Sequence, residues 1–301
     1  MSIEGRKPLL SYPEELRELV DSHLETIHFS RGDGVDGAET TGLDEAMRYS
    51  LLAGGKRIRP VLCLATARAI GQPTDDFLGA AAALEMIHTY SLVHDDLPAM
   101  DDDDLRRGKP TSHVKYGEAV AILAGDGLFA EAVGELARSP ATPERVLEAV
   151  SLLSAATGVE GMVGGQYIDV SAQALDADGL RHLHSLKTGR LIRASIEVAL
   201  ALGGVTEASR EPFRRFATQI GLLFQIVDDI LDVTGSDEEL GKPQGSDERH
   251  GKVTYVSLYG LDRARSLAAE THEGALAALA GAGGETEDLK RIADYIYSRE
   301  Q

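Results

Sequence analysis

The chain has one cysteine, Cys63, and no asparagine. A lone cysteine excludes an intrachain disulfide and a cysteine-based zinc site, and it fits a reducing compartment. Without asparagine there is no Asn-Gly hairpin signal. Sustained period-two alternation is also missing, so no substantial sheet is expected. Basic residues are scarce: 30 Lys and Arg stand against 49 Asp and Glu, a formal net charge of −19. That balance disfavours non-specific binding to nucleic acid or to an anionic membrane. No run of about 18 apolar residues is free of charge, so no segment is expected to span a membrane. The opening "MSIEGRKPLLSYPEELRELVDSH" lacks the apolar core of a signal peptide, and a cytoplasmic protein is expected. There is no repeat of fixed period, no linker that divides the chain, and no Walker loop.

What is present is a globular composition of 43% hydrophobic and 26% charged residues over 301 positions. Helix-length periodic runs cover 77–93, 118–138, 143–157, 179–202, 211–233, 253–279 and 285–299. Glycine-rich stretches, "RGDGVDGAETTG", "GMVGGQ", "ALGGVTE" and "GAGGETE", read as the breaks between them. The longest non-helical candidates are 30–42 and 235–251. The expectation is a single all-α domain over 1–301, with about ten or more helices.

Two acidic clusters interrupt this pattern. In "FQIVDDILDVTG", Asp228, Asp229 and Asp232 sit among Phe, Ile, Val and Leu. Asp228 and Asp232 are four apart, about 40° around a helix axis, so two carboxylates share one otherwise apolar face. Burying them uncompensated is costly, and a cation is required. Hard oxygen donors at this spacing suit magnesium that completes its shell with water and phosphate. The second cluster, "SLVHDDLPAMDDDDLRRGKPT", packs six aspartates into 95–104 behind an apolar helix. Pro98 ends regular helix there, so the turn after it can return Asp101 toward Asp95. A run such as 101–104 is usually a solvated loop. Two Asp-Asp pairs in apolar helices, each followed by another aspartate, do not fit that reading.

The cations are patterned as well. "GGKRIRP" places Lys56, Arg57 and Arg59 after two glycines, and Arg106 and Arg107 follow the first aspartates. "LKTGRL" puts Lys187 and Thr188 in a helix, and Lys242 and Lys252 lie beyond the second cluster. Arginine forks and lysine charges hold diphosphates. His88 lies seven residues before Asp95, two helical turns along nearly the same face. His94 has no comparable argument. Two acidic clusters, several cations and apolar helices between them point to two phosphorylated substrates with hydrocarbon bodies.

In this order the motifs "GGKRIRP", "EMIHTYSLVHDDLPAMDDDDLRRGKPT", "GMVGGQYIDV", "LKTGRLIRAS" and "FQIVDDILDVTGSDEELGKPQGSD…GKVTY" resemble the trans-polyprenyl diphosphate synthases. The four-residue gap in "DDLPAMD" resembles the bacterial type of farnesyl diphosphate synthase, a short-chain enzyme. The resemblance implies helices around a deep central cavity and a homodimer. It implies that Asp95, Asp96, Asp101 and Asp102 face Asp228, Asp229 and Asp232 across bound Mg2+, several ions per site, with Mn2+ able to replace it. Gly55, Lys56, Arg59, His88 and Arg107 correspond to the isopentenyl diphosphate site. Arg106, Lys187, Thr188, Gln225, Lys242 and Lys252 correspond to the allylic diphosphate site. Gln166 and Asp169 correspond to a polar pair on the cavity wall.

The reaction implied is 1′-4 condensation of isopentenyl diphosphate with dimethylallyl and then geranyl diphosphate. Asp95, Asp96, Asp101, Asp228, Asp229, Lys187 and Lys252 would carry the catalysis. A terpene cyclase also uses aspartates in an all-α cavity, but it needs no second diphosphate site such as "GGKRIRP". A non-catalytic synthase subunit commonly loses aspartates, and none is lost here. Tyr90 and Ser91 lie five and four residues before Asp95, about one turn down the helix. The Tyr-Ser pair resembles enzymes that stop at fifteen carbons. Farnesyl diphosphate is therefore the expected product, and geranylgeranyl diphosphate the alternative.

Overall fold

The computed structural model describes residues 11–30, 40–171, 175–235 and 253–299. Lys242 and Lys252, and most of the stretch 235–251, lie outside them. The described chain is helical apart from one short hairpin.

A set of mutually packed helices makes the central frame. α3 (Ile58–Ala69) and α4 (Leu78–Asp95) are apolar on nearly every side. α4 alone buries four consecutive alanines, 80–83, followed by Leu84, Met86 and Ile87. Small side chains let α4 approach α3 on one side and α6 (Glu118–Ala137) on the other. Each large apolar side chain so buried contributes roughly 1.5–3 kcal/mol. α10 (Arg190–Leu202) packs on α3, on α7 (Pro143–Thr157) and on α11 (Glu207–Thr234). α11 in turn packs on α13 (Leu261–Leu279). α1 (Glu14–Thr26), α2 (Thr41–Leu51), the five-residue α5 (Ser112–Tyr116) and α14 (Glu287–Ser298) pack around this frame. α12 (Tyr255–Tyr259) opens on a capping box in which Thr254 and Ser257 bond each other's backbone amides.

Three local readings differ from the sequence expectation. "GMVGGQ" is not a break: it opens α8 (Met162–Ser171). A Cβ at Gly165 would collide with the Lys187 backbone, so these glycines serve close packing between elements. The run 179–202 is three pieces in one continuous rod: α9 (Ala177–His184), a π-helical turn (Ser185–Gly189) and α10. A hairpin also forms without asparagine. β1 (Leu105–Arg106) and β2 (Lys109–Pro110) pair across Arg107 and Gly108, whose φ of 53° and 71° supply the positive angles of a tight turn.

Among the described residues one stretch, 143–171, is apolar enough by length and composition to cross a bilayer. It is broken in two, because α7 ends at Thr157 and α8 begins at Met162.

Candidate active site

α4, α8, the π-turn and α11 surround a cavity of about 640 Å³. Asp95 stands at the end of α4. Pro98 prevents α4 from continuing, and the chain doubles back so that the Asp101 amide donates to the Asp95 carbonyl at 2.9 Å. Burial pushes the Asp95 carboxyl up to about 6. Lys187 opposes the shift, and Asp101 and Asp96 add repulsion. Asp228 faces the same cavity from α11. Asp96 is turned away from it. It is 4% exposed and accepts two hydrogen bonds from Arg106, so it orients that arginine.

The remaining aspartates are placed differently from one another. Asp229 is buried, accepting from Gln225 Nε2 at 2.8 Å and from the Tyr255 amide at 2.7 Å. Asp232 is buried one turn further along α11, outside the cavity lining, although it shares Asp228's helical stripe. Asp101 is partly exposed, and Asp102 is exposed with a φ of 54°. Among the described residues no three His, Cys, Asp or Glu side chains converge on a metal-sized gap. The set fits a cation all the same. Asp95 and Asp228 offer hard oxygens to one space, and the Asp95 carboxylate accepts no hydrogen bond from the described residues. Such donors suit magnesium that takes the rest of its shell from water and phosphate oxygens rather than from a protein cage.

The cationic wall is assembled from three segments. Arg59 on α3, His88 on α4 and Arg106 and Arg107 of the hairpin all line the cavity. Arg59 is 9% exposed, and its Nε is buried without a hydrogen-bond partner. Burial lowers its pKa, partly offset by Glu85 and Asp228. Burial likewise lowers Arg107, and it keeps His88 neutral, with Arg59 and Arg107 reinforcing the effect. Gly55 belongs to this arrangement for a steric reason. A Cβ there would lie 2.7 Å from the Arg107 guanidinium carbon, and Gly55 itself has a φ of 118°.

Arg57 does not face the cavity, contrary to its reading as an anion holder. Its guanidinium bonds Asp21 at 2.9 Å, Glu85 at 2.6 Å and the Leu51 carbonyl at 2.9 Å. Lys56 is exposed with its ammonium 5.3 Å from the Tyr295 ring centroid, outside the lining. On the opposite wall, Lys187 and Thr188 enter the cavity from the π-turn. Lys187 pairs with Asp169 at 2.6 Å, and Thr188 donates to Gln225 at 3.3 Å. Gln225 itself lies behind the turn. Both side-chain polar atoms of Gln166 are buried, line the cavity and lack partners.

Tyr90 and Ser91 also line the cavity. The Tyr90 ring meets His94 edge-on at 5.6 Å and Phe129 of α6 at 5.4 Å. His94 thus belongs to the site although its sequence position gave no reason to include it. Its Nε2 lies 3.0 Å from the Ile122 carbonyl on α6, and Gly125 leaves room for its ring. Arg299, just past α14, is a second addition. It pairs with Asp228 at 3.1 Å and lies 5.7 Å from the Phe224 ring. No spacing signal in the sequence connects positions 228 and 299.

Comparison with known proteins agrees with this geometry. The family model described as polyprenyl synthetase matches residues 40–296. The chain is 49% identical to a chloroplastic geranylgeranyl pyrophosphate synthase of Capsicum annuum, over 86% of this chain and 72% of that protein. It is 45% identical to the large subunit 1 of a heterodimeric geranylgeranyl pyrophosphate synthase of Arabidopsis thaliana, over 97% and 79%. Among solved structures, an apo FPP/GFPP synthase from Zymomonas mobilis superposes with a TM-score of 0.83 at 38% identity, covering 94% of this chain and 98% of that one. A geranyltransferase from Legionella pneumophila gives 0.81 at 32%, covering 95% of each.

Proposed function

Because the chain belongs to the polyprenyl synthetase family, we propose that it condenses isopentenyl diphosphate with dimethylallyl and geranyl diphosphate to make farnesyl diphosphate. One observation carries the two-diphosphate reading. A buried arginine with an unpartnered Nε, Arg59, shares a cavity with two facing walls that carry Asp95 and Asp228. An anion at Arg59, His88 and Arg107 satisfies the cations directly. A second, at Arg106, Lys187 and Thr188, lies between Asp95 and Asp228.

Asp95 and Asp228 would hold magnesium, with Asp101 next to Asp95. The metal supplies electrostatic stabilisation of the leaving diphosphate. Lys187 adds a positive charge from the facing wall, itself held in place by Asp169. The apolar lining, with Met162, Val163 and Leu92, keeps water from the allylic carbon once its bond to oxygen breaks. The isopentenyl double bond then attacks, and the proton lost passes to the departing diphosphate. His88, held neutral, orients the second substrate rather than adding charge.

Chain length follows from Tyr90, which stands on the path a growing tail takes away from Asp95. A second reading, geranylgeranyl diphosphate, is favoured by the two plant relatives at 45–49% identity. We place the protein in a reducing cytoplasm. We also propose a homodimer through α6, which leaves Ile122, Leu123, Phe129 and Val133 exposed. The test of the reaction is turnover of purified Asp95→Ala and Asp228→Ala with labelled isopentenyl diphosphate at saturating magnesium. Losses of several orders of magnitude with unchanged circular dichroism are expected. Near-normal turnover in either variant contradicts the assignment.

A further inference from the structure

A second pocket, of about 260 Å³, lies behind the π-turn and is lined by Arg181, His184, Arg190, Arg193, Gln225 and Tyr255, among others. The turn is a partition. Lys187 and Thr188 face the catalytic cavity, while Ser185 and Gly189 face this pocket. Two buried polar atoms on its wall, His184 Nδ1 and the Tyr255 hydroxyl, have no hydrogen-bond partner. Their rings are adjacent, with centroids 5.7 Å apart, and Tyr255 is 3% exposed. Buried polar atoms are nearly always satisfied, so two orphans on one wall point to a polar occupant.

The charge of that occupant follows from the rest of the lining. Among the described residues no carboxylate lines the pocket, in a chain of net charge −19. Arg193 is held by Glu197 at 3.1 Å, and Arg181 by Asp178 and by the Tyr259 hydroxyl at 3.0 Å. Arg190 is exposed and has no ion pair among the described residues. Each guanidinium carries five N–H donors, so the paired arginines keep donors to spare. Several convergent donors without an acceptor suit a small anion rich in oxygens.

We propose that this pocket is a further anion site, outside the catalytic cavity, that binds inorganic diphosphate, the small product of the condensation, and thereby restrains the metal-binding helix. The source of the ion rests on the reaction proposed above; the site itself does not. The connection runs through Asp229, whose two oxygens are held by the Gln225 side chain and the Tyr255 amide. Both of those residues line the pocket. An anion that draws on Gln225 and Tyr255 shifts the groups that position Asp229, one residue from Asp228. Binding behind the turn is thus coupled to binding in front of it.

The test is equilibrium dialysis of the full chain against labelled inorganic diphosphate, read without turnover. Wild type should bind one ion per chain beyond those held in the catalytic cavity. Arg190→Ala should bind one ion fewer than wild type, with condensation in the absence of added diphosphate within about twofold of wild type. Tyr255→Phe retains the amide to Asp229 and loses only the hydroxyl; it should weaken the pocket ion roughly tenfold. The same number of ions with unchanged affinity in wild type and both variants overturns the site. Equal displacement of the pocket ion by orthophosphate overturns its assignment to diphosphate. A chain that binds the pocket ion but does not condense refutes the proposed reaction and leaves the site standing.

Discussion

Tyr90 is held edge-on between His94 and Phe129, so its ring cannot swing aside for a longer tail without breaking two aromatic contacts. Tyr90→Ala is expected to shift the main product to twenty carbons or more, and Ser91→Phe to ten. Chromatography of dephosphorylated products under excess isopentenyl diphosphate reads this directly. Identical distributions for wild type and Tyr90→Ala would move the floor elsewhere. Arg57 presents the opposite case, a motif arginine whose work is structural. Its pair with Glu85 has both side chains 2% exposed. Arg57→Met strands that carboxylate and should cost about 3 kcal/mol of unfolding free energy. Adding Glu85→Gln should return more than half of the loss in the same urea titration. A single-variant cost below about 1 kcal/mol would contradict this.

At the scale of elements, the rod from α9 through the π-turn to α10 determines which residues meet. A regular α-helix turns about 100° per residue; the wider π-turn shifts that phase. Lys187 and Thr188 thus face the cavity, and His184 stays behind it. Burial lowers His184 to about 4, with Lys187 assisting and Asp169 opposing. The unfolded chain protonates His184 near pH 6.5, whereas the folded chain resists until about 4. Its contribution to stability is therefore complete above pH 6.5 and is lost as the pH falls toward 4, by roughly 3 kcal/mol. Unfolding free energies across that window should fall less steeply in His184→Gln than in wild type. Parallel curves for the two proteins would rule out this origin.

For the molecule as a whole, the exposed apolar residues of α6 share a helix with Phe129, which braces the Tyr90 floor. The proposed dimer face and the proposed product-length floor therefore meet on one element. Leu123 is 55% exposed. Leu123→Glu is expected to convert a dimer to a monomer in sedimentation velocity, with secondary structure unchanged. A wild-type monomer at micromolar concentration, or a variant dimer of equal affinity, would rule out α6 as the interface.

The helical class, the two acidic clusters and most of the cationic wall were legible in the sequence because they depend on local spacing. Asp228 and Asp232 share a stripe at any four-residue interval, and Pro98 ends α4 whatever surrounds it. Other features were not local. "GMVGGQ" reads as a break because glycine lowers helix propensity, yet inside α8 packing against Val159 requires Gly164 and packing against Lys187 requires Gly165. Composition and spacing do not separate Arg57 from Arg59 in "GGKRIRP"; the family resemblance singles out Arg59 alone. In the fold Asp21, Glu85 and the Leu51 carbonyl hold Arg57 in the core, leaving Arg59 with an unpartnered Nε. Phe129 and Arg299 carried no signal, since their partners lie on other helices, and His94 is tied to α6 through the Ile122 carbonyl. Spacing along one chain thus determined which charges exist and which helical face they share. Tertiary packing decided which of them lost water, because desolvation depends on what other elements place beside each group.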